Sequence, residues 1–186
     1  MNTLPDITAL IKTGKIQNEL DFERALIADR KLRVLAKENS KYKAMRKKLR
    51  NLIEAYEHIH WVSDSELSDK KIRESNVAEL IAEKERLFIQ KRKELIRKKL
   101  KQLNLTQQDL GVLLGHNSKS YMSELINGIS PFTLKDLVVI NRLLKIDLTD
   151  LVPTFLSHSD RKKIKSSIKK IDKPKLRLNK DDFALG

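Results

Sequence analysis

Lys119, Ser120, Tyr121, Ser123 and Glu124 lie outside the apolar positions Met122, Leu125 and Ile126 of one short segment. A helix over that segment gathers them on one polar face. Their chemistry is recognition by hydrogen bond. A lysine donates to guanine edges or to phosphate, and a serine donates or accepts. A tyrosine packs on a sugar or a thymine methyl, or hydrogen-bonds a phosphate. Ser118 opens the segment and Asn127 closes it. Gln107, upstream, stands at a second helix start, where its N–H and side chain can reach a phosphate. A solvated helix face carries the same residue types, so the set gains meaning only from the elements that position it.

Those elements are marked by caps. Thr106 and Asp109, Thr133 and Asp136, and Asp147 and Asp150 each have capping-box spacing. In each, the cap side chain accepts a backbone N–H left unpaired by the first turn, worth ~1 kcal/mol. The acids suit the helix dipole. The starts predict short helices over 106–114, 118–127, 133–145 and 148–152, after an amphipathic helix ending near Leu103. Leu110, Leu113 and Leu114 are expected to face inward from the first of these. Leu134, Leu137, Val138, Ile140, Leu143 and Leu144 form a wide stripe on the third. Gly111 stands where the paired helices approach most closely, and the competing reading is a tolerated glycine that costs ~1 kcal/mol against alanine. Asn127-Gly128 closes the second helix, since both tolerate left-handed backbone.

Two short helices, the second free to enter a major groove, are what a helix-turn-helix requires. The array resembles the Cro/repressor-type (XRE) helix-turn-helix family, on Thr106-Gln107, Leu110-Gly111, Gly115 and Leu125-Ile126-Asn127-Gly128. Pro131-Phe132-Thr133-Leu134 is similar to the segment that follows the recognition helix in HigA-type antitoxins. Leu52-Ile53-Glu54-Ala55-Tyr56-Glu57 resembles an upstream helix of the same antitoxins. The resemblance spans roughly 18–152. It implies an all-α fold with a five-helix lambda-repressor-like domain. It also implies a cytoplasmic bacterial antitoxin, on the nucleoid when bound to double-stranded operator DNA. Such an antitoxin would repress its own operon and bind a small basic HigB-type ribonuclease toxin, with toxin contact on the helices over 18–60. Pairing as a homodimer on an inverted repeat is expected, through 134–152 or the helix from Val77. The alternative is a stand-alone repressor without a toxin. The sequence departs from the family at Gly115-His116-Asn117-Ser118, a longer turn, and in a longer, more charged link ahead of the DNA-binding domain.

Composition agrees with a polyanion partner. The formal net charge is +14, concentrated in 24–50 and 161–180, and phosphate contacts supply most non-specific nucleic-acid affinity. The basic stretch at 161–171 lacks the aromatic anchors of strong membrane binders. No apolar run approaches the ~20 residues of a membrane span, and the start of the chain does not read as a signal peptide. Cysteine is absent, which excludes disulfides and thiolate metal sites. His58 and His60 fall on different helix faces, and His116 lies in the turn before 118–127. No nucleophile set, phosphate loop or third metal ligand stands out, so neither enzyme, metal nor cofactor is expected.

The chain divides on this reading into an N-terminal helical domain (1–66, toxin-binding or dimerising), a linker and connecting helix (67–91), the DNA-binding domain (92–152) and a basic tail (153–186). A short helix at 5–12 precedes helices over 19–37, capped by Asn18, and 42–59. Residues 61–75 read as linker up to an Asn76–Glu79 capping box. The stripe of the next helix, Val77, Leu80, Ile81, Leu87 and Phe88, lapses over 90–94 before Leu95, Ile96, Leu100 and Leu103, which suggests a bend. A tail helix is expected at about 159–171.

Overall fold

The computed structural model describes residues 4–62, 69–153, 158–173 and 176. Among them every regular element is helical: α1 (Ile7–Thr13), α2 (Glu19–Leu35), α3 (Lys41–Glu57) with a π turn at His58–Val62, α4 (Asp69–Gln102), α5 (Gln107–Leu114), α6 (Lys119–Asn127), α7 (Leu134–Leu144), α8 (Leu148–Leu151) and α9 (His158–Ile171). The expected all-α fold is observed, with helix ends a few residues from those read in the sequence at most positions. The caps explain the agreement. Asn18, Thr106, Ser118 and Thr133 each accept the N–H three residues on, and Thr106 and Thr133 complete reciprocal boxes with Asp109 and Asp136. Asp147 departs from its expected box. It makes no side-chain cap bond: Asp150 N donates to the Asp147 carbonyl at 3.0 Å, and the Asp150 carboxylate accepts from Lys91 Nζ at 2.7 Å instead of closing the box.

Two apolar cores result. One joins Ile96 and Leu100 of α4 to Leu110, Leu114, Met122, Leu125, Ile126, Leu137, Ile140, Leu144 and Leu151. The other joins Ile7, Phe22, Ala25, Ala28, Leu32, Tyr42, Leu49, Ile53 and Tyr56 of α1–α3, and takes in Ile129 from the loop after α6. That loop docks on α1, where Ile7 N donates to Ile129 O at 2.9 Å and Thr8 and Ser130 hydroxyls lie 2.8 Å apart. The family-like Leu52–Glu57 segment has a packing role. Ile53 and Tyr56 are buried, Tyr56 stacks on Phe22 at 4.9 Å, and its hydroxyl donates to Glu19.

The connecting helix corrects three expectations. It begins at Asp69, so Asn76 lies inside it rather than capping it, and part of the expected linker is helix. Residues 63–68 lie outside the described residues. Val77, Leu80 and Leu87 are exposed, and the buried line runs instead through Ala78, Ile81, Ala82, Glu85, Ile89, Arg92, Ile96 and Leu100. This line keeps helical period, so the stripe does not lapse and α4 continues through 90–94. Two of its positions are simply charged. Glu85 accepts from Arg24 Nη2 at 2.6 Å and Nε at 2.8 Å. Arg92 donates to Leu151 O and lies over the Phe88 and Phe132 rings at 5.7 and 5.2 Å.

Exposure also corrects the apolar stripes. Leu113, Leu134, Val138 and Leu143 face solvent, Leu134 at 74% of its full exposure. Only Leu137, Ile140 and Leu144 of α7's apolar set are buried beside α4, α5 and α6, because a helix packed on one side buries the narrower half of a wide stripe.

Candidate nucleic-acid interface

The α5–α6 pair is held by its turn. Gly115 and Gly128 end the two helices in left-handed backbone (φ 80° and 68°). A Cβ on Gly111 would meet His116 O and Met122 Cγ at 2.8 Å each, so the close-packing reading of this glycine holds. Within the turn, His116 Nε2 lies 3.0 Å from Asp136 Oδ1, and its ring meets Tyr121 edge-on at 5.1 Å. Asp136, buried, also accepts from Thr133 N. The turn is thus tied to the start of α7, and α6 is fixed relative to α5.

The candidate side chains then fall as follows. Gln107 is half-buried at the start of α5. Ser118 Oγ is taken by the cap, accepting from Tyr121 N at 3.2 Å. Lys119 is exposed, and Tyr121 is half-buried against His116. Ser120 Oγ accepts from Asn39 Nδ2 at 3.0 Å, and its carbonyl accepts from Tyr42 Oη at 3.0 Å. Ser123 Oγ and carbonyl both accept from Asn127 Nδ2. Glu124 differs from its expected place on an open polar face. It is buried at 3% exposure, with its carboxylate 2.6 Å from Lys41 Nζ. The physical reason is a counterion from a distant helix, which sequence spacing does not reveal.

A cleft of about 1180 Å³ brings Gln107, Lys119, Ser120, Ser123 and Asn127 together on one wall. Across it stand α2, the α2–α3 turn and the adjoining face of α4. Lys31 Nζ donates to Asn127 O at 3.1 Å, and Lys93 Nζ to Asn127 Oδ1 at 2.8 Å. Desolvation first, then Lys93, Arg86 and Arg92, lower the Lys31 ammonium to about 8. The polar side of α6 therefore faces the N-terminal helices. Asn39, Lys41, Tyr42, Lys31 and Lys93 escape a reading of the sequence because nothing local links them to α6.

A helix-turn-helix family model matches residues 96–151. This segment is a helix-turn-helix domain. Its type is that of sequence-specific DNA-binding transcription regulators, and α6 stands in the position of the helix that enters the major groove. No curated protein and no solved structure matches the chain. Among the described residues, no helix is long and apolar enough to cross a membrane.

Proposed function

We propose that the chain is a transcription regulator that reads operator DNA through α6 and is controlled by its own N-terminal helices. The observation that carries this is the pairing of the helix-turn-helix match with contacts on the same face of α6. Ser120, Glu124 and Asn127 of that helix are held by Asn39, Tyr42, Lys41 and Lys31. Base readout requires that face to be free, so partial release of α2–α3 from α6 accompanies binding. Gln107 and Lys119 contribute phosphate or base contacts, with Ser120, Ser123 and Asn127 along the groove. Glu124 is kept for the contact with Lys41. The test is a gel shift with duplex DNA from upstream of the gene. Lys119→Ala on a folded protein should weaken binding by ~1–3 kcal/mol if Lys119 contacts a base. A chain that shifts no duplex in a salt-sensitive, sequence-dependent way overturns the regulator reading.

Two finer proposals belong to this reading. The exposed Leu134 and Val138 lie one turn apart on α7 and support pairing of two copies on an inverted repeat. Light scattering that finds a strict monomer with and without operator removes this. The resemblance at Leu52–Glu57 favours a HigA-like antitoxin that neutralises a ribonuclease toxin and represses its own operon. Glu54 and Glu57 are exposed on α3, where a basic partner could reach them, Glu54 in exchange for its exposed contact with Arg50 at 3.7 Å. Co-expression of the whole chain with the product of a neighbouring short reading frame tests it. Failure to rescue growth leaves a stand-alone repressor.

A further inference from the structure

The cleft between α6 and the N-terminal helices holds more positive charge than its acids can balance. Six cations line it (Arg30, Lys31, Arg86, Lys93, Arg97 and Lys119) against Glu38 and Glu83. Glu83 is already taken by Arg86, with two contacts of 2.7 Å. The deepest cations are Lys31 and Lys93. Their ammonium groups converge on the carbonyl and side-chain oxygens of one residue, Asn127. Neither has a carboxylate within salt-bridge distance among the described residues. Removing an ammonium from water without a counterion is unfavourable, and holding two together adds repulsion. The lowered proton affinity of Lys31 registers both effects. Part of this arrangement serves α6 alone, since cations at a helix C-terminus suit its dipole. The dipole does not account for Lys119, at the opposite end of α6, and Arg30 and Arg97 line the same space without bonding that end.

We propose that this cleft binds a phosphate-bearing anion, held chiefly by Lys31 and Lys93 against the polar wall of α6. A row of linked phosphates would supply the missing counter-charge and accept from both ammonium groups. Ser120 and Ser123, on the same wall, can donate to it. The phosphates could belong to a free nucleotide or to the backbone of a nucleic-acid strand. The affinity does not rest on the regulator reading. Its consequence does, because an anion seated there lies against residues that would read DNA, so occupancy and operator binding compete.

The experiment is titration calorimetry on the full chain at about 0.15 M salt, where exposed charges are screened. Inorganic triphosphate stands for the free ligand and a short thymidine oligonucleotide for the strand. Wild type, K31M/K93M and the control K163A/K165A on α9 are compared, with K93Q as a milder variant and thermal melting as the check of folding. The expected result is binding of at least one ligand that drops by about tenfold or more in K31M/K93M, the scale of one lost charge-assisted hydrogen bond. K93Q should show a smaller loss and the α9 control almost none. Triphosphate binding assigns a free anion, and strand binding alone assigns a backbone. The proposal is overturned if wild type binds neither, or if the α9 control loses as much as the cleft variants. It is equally overturned if folded K31M/K93M and K93Q bind like wild type, which leaves the lysines as helix caps. None of these outcomes touches the duplex gel shift, which judges the regulator reading separately.

Discussion

The helix-turn-helix segment and the interfaces that α2 and α3 make with α4 and α6 are held together by different physics. In the first, the determinants are local and mostly apolar: two reciprocal caps, a glycine at the α5–α6 crossing, and a closed cluster of leucine, isoleucine and methionine. In the second, helices far apart in sequence meet through charge, as in Arg24 with Glu85 and Lys41 with Glu124. Apolar contacts tolerate small shifts, whereas a buried ion pair holds a single geometry and leaves an uncompensated charge when broken. The segment that would read DNA is therefore built to persist, and the interface that covers it depends on a few specific pairs beside the apolar seat of Ile129.

The largest effect should come from the charged side. Glu85→Ala leaves Arg24, mostly buried, without its bidentate partner, and should cost ~3 kcal/mol in denaturant unfolding. Replacing both residues with apolar ones of similar size should recover most of that. A double variant as unstable as the single one would show that the pair is not the source of the loss. On the apolar side, Gly111→Ala gains helix propensity of ~1 kcal/mol but forces a Cβ onto His116 O and Met122, and overpacking costs ~1–3 kcal/mol. A net loss of up to about 2 kcal/mol is expected from that balance. A stabilised Gly111→Ala would mean that the α5–α6 crossing can open.

The same contrast decides what was legible in the sequence. Thr106, Thr133, Gly111 and Gly128 announce their roles because each role is set by residues only a few positions away. The α4 stripe was misread because polarity stood for exposure. Glu85 and Arg92 occupy core positions, and their partners, Arg24 and the Leu151 carbonyl, lie far along the chain. Leu113 and Leu134 were misread the other way, as apolar residues with nothing to cover them in one chain. For the candidate interface, Gln107, Lys119, Ser120, Ser123 and Asn127 share one wall of the cleft, as helix periodicity and the two helix starts lead one to expect. Glu124 could be recognised as inward only with Lys41 in view.

A smaller effect tests the charge excess by pH. Lys31 ionises near 8 in the folded chain against an ordinary value of 10.5. The folded state thus binds that proton more weakly than the unfolded state. A group lowered in this way destabilises fully at pH 7, and stability rises as pH climbs from about 8 towards the unfolded value. Because Lys31 keeps some exposure, the contribution should be on the order of 1–2 kcal/mol. K31M should be more stable than wild type at pH 7 and should flatten the rise between pH 8 and about 9.5. Above that range Tyr56 opposes it. Burial and Glu19 raise the phenol, so unfolding gains an ionisation that folding resists. A wild-type profile that falls between pH 8 and 9.5 would contradict the Lys31 assignment.

The smallest expected effect concerns the cover on α6 itself. Tyr42 is buried in the N-terminal core, and its hydroxyl donates to the Ser120 carbonyl. Tyr42→Phe keeps the ring packing and removes only that bond, with a stability change of ~1 kcal/mol. If α6 must shed this contact to enter a groove, the lost bond no longer opposes DNA binding. The gain cannot exceed the free energy of the contact, so operator affinity should rise by at most about fivefold. The asymmetry is the informative part. A contact that merely stabilises the fold would lower affinity or leave it unchanged when removed, whereas a contact that competes with DNA must raise it. Competition binding of Tyr42→Phe and wild type to one labelled operator resolves a difference of that size. Equal or weaker binding by the variant would show that DNA binding does not require α6 to shed this contact.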